Sequence, residues 1–198
     1  MNLPNKLTMM RMILIPFMMF FYLADFIPHG IGKIVALVIF AVAALTDLLD
    51  GKIARKYNLV TNFGKFLDPI ADKVLTSAAF FLFMADGTIP APWGVIVVTI
   101  IITREFAVSA LRLLASSKGK VLAADIWGKA KTMVTMIALP VCFVVSYLVS
   151  SGFNLPAIAI DSVAIVSYVM IGVATVLTLL SGVNYIVKNK ECFKDEKN

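Results

Sequence analysis

Uncharged apolar stretches alternate along this chain with short charged clusters, dividing it into six segments near 10–27, 32–55, 64–86, 92–116, 130–150 and 160–187. A helix that crosses a bilayer needs about 20 mostly apolar residues. The last two segments meet that length cleanly, because residues 132–160 carry no charge and are broken only at Gly152, Asn154 and Pro156. The second and third differ. Their uncharged runs, 34–46 and 74–85, are too short to span, so each predicted helix carries its flanking aspartates to membrane depth. The pattern predicts an all-α integral membrane protein. Six transmembrane helices follow a short N-terminal cytoplasmic helix, in a single domain over residues 1–198.

Composition agrees: the chain is 60% hydrophobic and 15% charged, against about a quarter charged in a soluble domain. The two cysteines, Cys142 in an apolar run and Cys192 in the polar tail, suggest neither a disulfide framework nor a metal motif. The N-terminus lacks the pattern of a cleaved signal peptide. The net charge of +6 is one-sided. Loops near 25–33, 86–91 and 151–161 hold Asp25, Asp86 and Asp161 with a single cation, Lys33, whereas the other helix ends hold Lys6 and Arg11, then Lys52, Arg55, Lys56 and Lys65, then Lys118, Lys120, Lys129 and Lys131, and finally the lysines from Lys188 to Lys197. By the positive-inside rule both termini face the cytoplasm, which predicts a multi-pass plasma-membrane protein. The charge then suits anionic headgroups and substrates at that face, and nucleic-acid binding is excluded.

Between the second and third segments the sequence reads Asp47-Leu-Leu-Asp50-Gly51-Lys-Ile-Ala54-Arg55 and, eight residues on, Gly64-Lys-Phe-Leu-Asp68-Pro-Ile-Ala-Asp72. At 100° per residue Asp47, Asp50, Gly51, Ala54 and Arg55 share one broad helix face, and Gly64, Asp68 and Asp72 form a stripe on the next helix. The short connection predicts an antiparallel hairpin whose acidic faces meet at its cytoplasmic end. Two carboxylates about 4 Å apart repel by roughly 4 kcal/mol at an effective dielectric near 20, so cations must offset them. An all-oxygen set without His or Cys suits hard divalent ions, Mg²⁺ or Mn²⁺. Gly51, Ala54 and Gly64 leave room for a bulky ligand such as a nucleotide, and the fork of Arg55 suits phosphate oxygens.

Further polar groups flank this hairpin. Asn5, Thr8 and Arg11 recur every three residues and share a face that can point into a headgroup cavity; Asn5 and Thr8 are expected beside the nucleotide. Arg104 and Glu105 lie mid-span, where ionisable residues usually face an interior site; a structural Arg–Glu pair is the other reading. Arg112, eight residues on, either faces the same site or snorkels to the interface. Lys129 and Lys131 add cations at the same membrane face, as simple topology would also do. Together they describe a pocket for an anionic acceptor, and repel a choline or ethanolamine headgroup.

The full pattern D-x2-D-G-x2-A-R-x8-G-x3-D-x3-D is present without a departure. It resembles the signature of the CDP-alcohol phosphatidyltransferase family, and the six-helix layout agrees across essentially the whole chain. The resemblance implies two Mg²⁺ or Mn²⁺ ions held by Asp47, Asp50, Asp68 and Asp72. It further implies a CDP moiety lying against Gly51, Ala54 and Arg55, and a homodimer. The segments around Asn5, Arg104 and Lys129 resemble the branch that uses glycerol 3-phosphate, so the implied reaction joins that acceptor to the phosphatidyl group of CDP-diacylglycerol. Inositol phosphate and phosphatidylglycerol remain alternative acceptors. A prenyltransferase would show two separate aspartate-rich motifs, and a transporter internal repeats or acidic groups on several helices. The attacking alcohol must lose a proton. His29 is expected on the opposite face and no cysteine adjoins the hairpin, whereas Asp72 lies furthest from the connecting loop. Asp72 is therefore the expected general base, the role the resemblance also implies for the fourth motif aspartate.

Overall fold

A computed structural model describes residues 2–24, 26–57, 61–117, 126–151 and 156–188. Six α-helices run through them: α1 (Leu3–Leu23), α2 (Ile31–Lys56), α3 (Asn62–Ala85), α4 (Trp93–Ser117), α5 (Ile126–Ser150) and α6 (Ala157–Lys188). A single 3₁₀ turn, Pro28–Gly30, precedes α2. Gly30 caps α2 with φ +66°, a left-handed conformation that favours glycine. The described residues are mostly helical and include no strand, in keeping with an all-α chain.

The first segment departs from expectation. No separate short helix precedes it, because α1 begins at Leu3 and runs unbroken to Leu23. Pro4 sits in the first turn, where its missing N–H leaves no hydrogen bond unmade. The straight-chain residues that follow favour continuation.

Among the described residues five helices are long and apolar enough to cross a membrane: Leu3–Leu23, Ile31–Ile53, Trp93–Leu113, Ile126–Ser150 and Ile160–Tyr185. The chain is therefore read as a multi-pass membrane protein. Helix α3 does not qualify by composition, since Lys65, Asp68, Asp72 and Lys73 occupy its first half.

The predicted α2–α3 hairpin is present in sequence but not as a tight pair. Helix α1 packs extensively against both α2 and α3, which touch each other much less. Its buried face, Pro4, Asn5, Thr8, Arg11, Ile15, Met18 and Tyr22, recurs at intervals of three and four, the spacing of one helix stripe. At one end of the bundle the core closes on aromatic rings. Phe143 of α5 meets Phe83 of α3 at 4.8 Å, Phe40 of α2 at 5.5 Å and Tyr22 of α1 at 5.6 Å between centroids. These edge-to-face and tilted contacts lock four helices together at one end. At the other end the same helices separate around polar groups.

Beyond the aromatic layer Asp86, at the C-terminus of α3, gathers donors from three elements. Tyr22 Oη donates at 2.6 Å, Lys33 Nζ at 2.9 Å and the backbone N–H of Thr88 at 3.0 Å, and the Ser146 hydroxyl donates as well. Lys33 also reaches Ser150 at 2.5 Å. Burial alone would raise the Asp86 carboxyl, but these donors outweigh it and hold the pKa below its ordinary value.

Candidate active site

The four motif aspartates lie at the end of α2 and the start of α3, with α1 between them. Arg11, fully buried, donates from Nη1 to Asp47 Oδ1 at 2.6 Å and from Nη2 to Asp50 Oδ2 at 2.5 Å. Thr8 donates to Asp68 Oδ1 at 2.6 Å. Thus the polar face of α1 ties the acidic helices together, and its Arg11 also lines a cavity. A long cation beside four carboxylates lowers the energy more than the same cation facing lipid. Spacing along α1 identified the face; its counterpart required the fold.

Asn5 is also engaged with α3. Its Oδ1 accepts from the Thr61 hydroxyl at 3.0 Å, and Thr61 caps the helix by accepting the Gly64 N–H at 3.0 Å. A Cβ on Gly64 would stand 2.8 Å from Asn5 Oδ1. The missing side chain at Gly64 therefore admits Asn5, not the nucleotide room expected from sequence. This is close helix packing over a small residue. Gly51 is partly exposed on α2; the side chains of Ala54 and Arg55 lie outside the described residues.

Three cavities converge on Asp72. One, of about 410 Å³, lies between α3, α4 and α5 and is lined by Asp72, Lys73, Arg104, Arg112, Lys129 and Lys131, among others. A second, about 470 Å³, opens between Asp47, Asp68, Asp72, Lys73 and Arg112. The third, also about 470 Å³, is a largely apolar groove. Phe40, Ala44, Leu45, Leu75, Met136 and Pro140 line it, and Arg11, Asp47 and Asp72 stand at its polar end.

The first cavity carries five cations and two carboxylates. Glu105 is ion-paired with Lys131, lies 3.7 Å from Arg104 Nη1 and lies 3.9 Å from Lys73 Nζ. Lys73 is also 3.5 Å from Asp72 Oδ2. The adjacent Arg104–Glu105 pair thus exists, yet Arg104 makes its short bond elsewhere, to Ser181 at 2.5 Å. Lys131 is buried and Lys129 exposed, so the two expected cations enter the cavity from different depths. Arg112 is exposed and lines two cavities. Lys73 was not singled out by sequence, although it directly follows the last motif aspartate; Glu105 was noted only with Arg104 as a mid-span ionisable pair.

Among the described residues, no three His, Cys, Asp or Glu side chains close into a metal cluster. The donors nevertheless fit hard cations: Asp47, Asp68 and Asp72 are carboxylates facing one cavity, with Asp50 behind them on Arg11.

A family model described as CDP-alcohol phosphatidyltransferase matches residues 1–187. The chain belongs to the CDP-alcohol phosphatidyltransferase family. A CDP-diacylglycerol–glycerol-3-phosphate 3-phosphatidyltransferase of Bacillus subtilis (strain 168) is 41% identical, over 98% of this chain and 97% of that protein. The protein of that name from Rickettsia bellii (strain RML369-C) is 36% identical over 97% of each chain. A probable phosphatidylglycerophosphate synthase of Mycobacterium tuberculosis (strain CDC 1551 / Oshkosh) is 38% identical over 94% of this chain and 81% of its own. Family membership bears on the reaction type, a transfer from a cytidine-diphosphate lipid.

Proposed function

We propose that this chain transfers the phosphatidyl group of CDP-diacylglycerol to glycerol 3-phosphate, releasing CMP and phosphatidylglycerol phosphate. The observation that carries the reading is the meeting of three chemically different cavities at one carboxylate, Asp72. The apolar groove suits acyl chains. The aspartate-lined space suits a diphosphate with its counter-cations, and the cationic cavity suits a small phosphorylated alcohol. Relatives named for this reaction over nearly the whole chain support the same acceptor.

In this reading Asp47, Asp50, Asp68 and Asp72 hold two divalent ions, Mg²⁺ or Mn²⁺. When bound, these supply Lewis-acid stabilisation of the charge developing on the diphosphate. Arg104, Arg112, Lys129 and Lys131 bind the acceptor phosphate and set the distance of its far hydroxyl from Asp72. Asp72 takes that hydroxyl's proton as the oxygen bonds to the lipid-side phosphorus. The bond from that phosphorus to the bridging oxygen then breaks, and CMP leaves with the electron pair. Gly51, Ala54 and Arg55 contact the CDP moiety, and Asn5 and Thr8 support that side through α3.

The domain is a single unit over residues 1–198, working as a homodimer in the plasma membrane. With α3 as a sixth span, both termini and the site lie on the cytoplasmic side, where the cation-rich helix ends gather. Purified protein supplied with CDP-diacylglycerol should release CMP with glycerol 3-phosphate, and far less with inositol phosphate, serine or phosphatidylglycerol. Faster release with another acceptor would overturn the assignment, and no release with any would overturn the transferase reading.

A further inference from the structure

Helix α6 contributes nothing to the sequence motif, yet it backs both arginines of the cationic cavity. Ser181 is 1% exposed and accepts the 2.5 Å bond from Arg104 Nη2. Next to it, Gly182 lies under the stem of that arginine. A Cβ there would stand 3.1 Å from Arg104 Cγ and 3.6 Å from Nε. One turn on, the buried ring of Tyr185 lies 5.5 Å from the Arg112 guanidinium carbon, within cation–π range. These three residues sit at i, i+1 and i+4, on one face of α6. A face of small residues between membrane helices commonly serves close packing alone. Here the same face receives two charged side chains from α4, at two separate points, and both line the cavity.

We propose that Ser181, Gly182 and Tyr185 are positioning residues that aim Arg104 and Arg112 at the acceptor's phosphate. An arginine has several freely rotating bonds, and holding its fork in one direction before the ligand arrives lowers the entropic cost of binding. Ser181 fixes the guanidinium by its acceptor oxygen, Gly182 lets the stem lie flat against α6, and Tyr185 holds the second guanidinium over its ring. The consequence is selective. Acceptor affinity depends on α6, whereas the lipid donor, held among α1, α2, α3 and α5, does not.

The inference rests on the assignment of Arg104 and Arg112 to the acceptor, and the test separates the two. Steady-state constants for both substrates are measured on the full chain with Ser181→Ala, Gly182→Ala, Tyr185→Leu and Tyr185→Phe. Arg104→Ala, Arg112→Ala and the double variant Ser181→Ala/Arg104→Ala complete the set. Ser181→Ala and Tyr185→Leu should raise the glycerol 3-phosphate KM by roughly tenfold, the scale of one lost bond to a charged group. The donor KM should stay within about twofold, and Tyr185→Phe should keep most of the native acceptor KM because it retains the ring face. The double variant should be no worse than Arg104→Ala alone, as expected for two residues acting through one contact. Gly182→Ala should follow Ser181→Ala; if it does not fold, the serine and tyrosine variants decide. Equal changes in both KM values, or additive effects in the double variant, would overturn the positioning role and leave α6 as packing. An unchanged acceptor KM in Arg104→Ala and Arg112→Ala would instead overturn the acceptor assignment itself.

Discussion

Removing Arg11 exposes how the acidic helices are held. Its guanidinium is fully buried, with one bond to Asp50, whose side chain is 4% exposed, and one to Asp47, whose side chain is 38% exposed. The Asp47 contact is screened by solvent and adds little. The Asp50 contact is different, since removing the cation leaves a buried carboxylate unpaired. Breaking such a pair costs about 3–5 kcal/mol, and with one partner partly solvated the lower end applies, about 3 kcal/mol. For a chain of this size each kcal/mol moves the melting temperature by about 2–4 °C, so the expected drop is roughly 6–12 °C. Arg11→Met is the suitable variant because it keeps most of the side-chain volume. Unfolding would be followed by helical circular dichroism in detergent with chelator present, so that no ion substitutes for the arginine. Arg11→Lys should fall between, keeping the charge but losing the two-pronged geometry. Arg11→Met combined with Asp50→Asn should recover most of the loss, because the orphaned charge is gone. If Arg11→Met melted within about 2 °C of the unaltered protein, the claim that this arginine compensates the acidic hairpin would be wrong.

Four further outcomes follow from the same structure. Asp72→Asn should retain CDP-diacylglycerol binding while losing turnover by about a hundredfold or more, the usual scale for an acid–base group; near-normal turnover with an unaltered pH profile would remove Asp72 as the base. Chelation should abolish CMP release, and Mg²⁺ or Mn²⁺ should restore it, so full activity in excess chelator would dispose of the two-ion proposal. Asp86, held below its ordinary pKa, contributes stability that is present above its unfolded value of about 3.9 and lost as pH falls through the folded value. The melting temperature should therefore drop more steeply below pH 4 in the unaltered protein than in Asp86→Asn. With Cys142 and Cys192 replaced, an impermeant thiol reagent on intact cells should label Asp161→Cys and spare Lys188→Cys; the opposite pattern would invert the topology.

Much of this protein is legible along the chain because a bilayer imposes a simple rule. Backbone polar groups in hydrocarbon must be satisfied within a helix, so long apolar runs are spanning helices, and the cations sort to one side. The aspartate motif was legible for a related reason. Carboxylates at membrane depth are costly, so Asp47, Asp50, Asp68 and Asp72 at helical spacing predict a site that takes cations. The spacing of Asn5, Thr8 and Arg11 likewise marked a face of α1.

What that face meets was decided only by the fold. Periodicity assigns a side chain to one side of its own helix and says nothing of which helix lies opposite. Hence spacing put Arg11 on a polar face of α1, and only the fold shows that α1 lies between α2 and α3 and delivers it to Asp47 and Asp50. Gly64 read as space for a nucleotide, whereas Asn5 fills that space. The backing of Arg104 and Arg112 by α6 comes from residues some seventy positions away. Local spacing encodes each helix and its polar stripe; the pairing of stripes follows from burying all six helices at once, with every charged group that leaves water needing a partner.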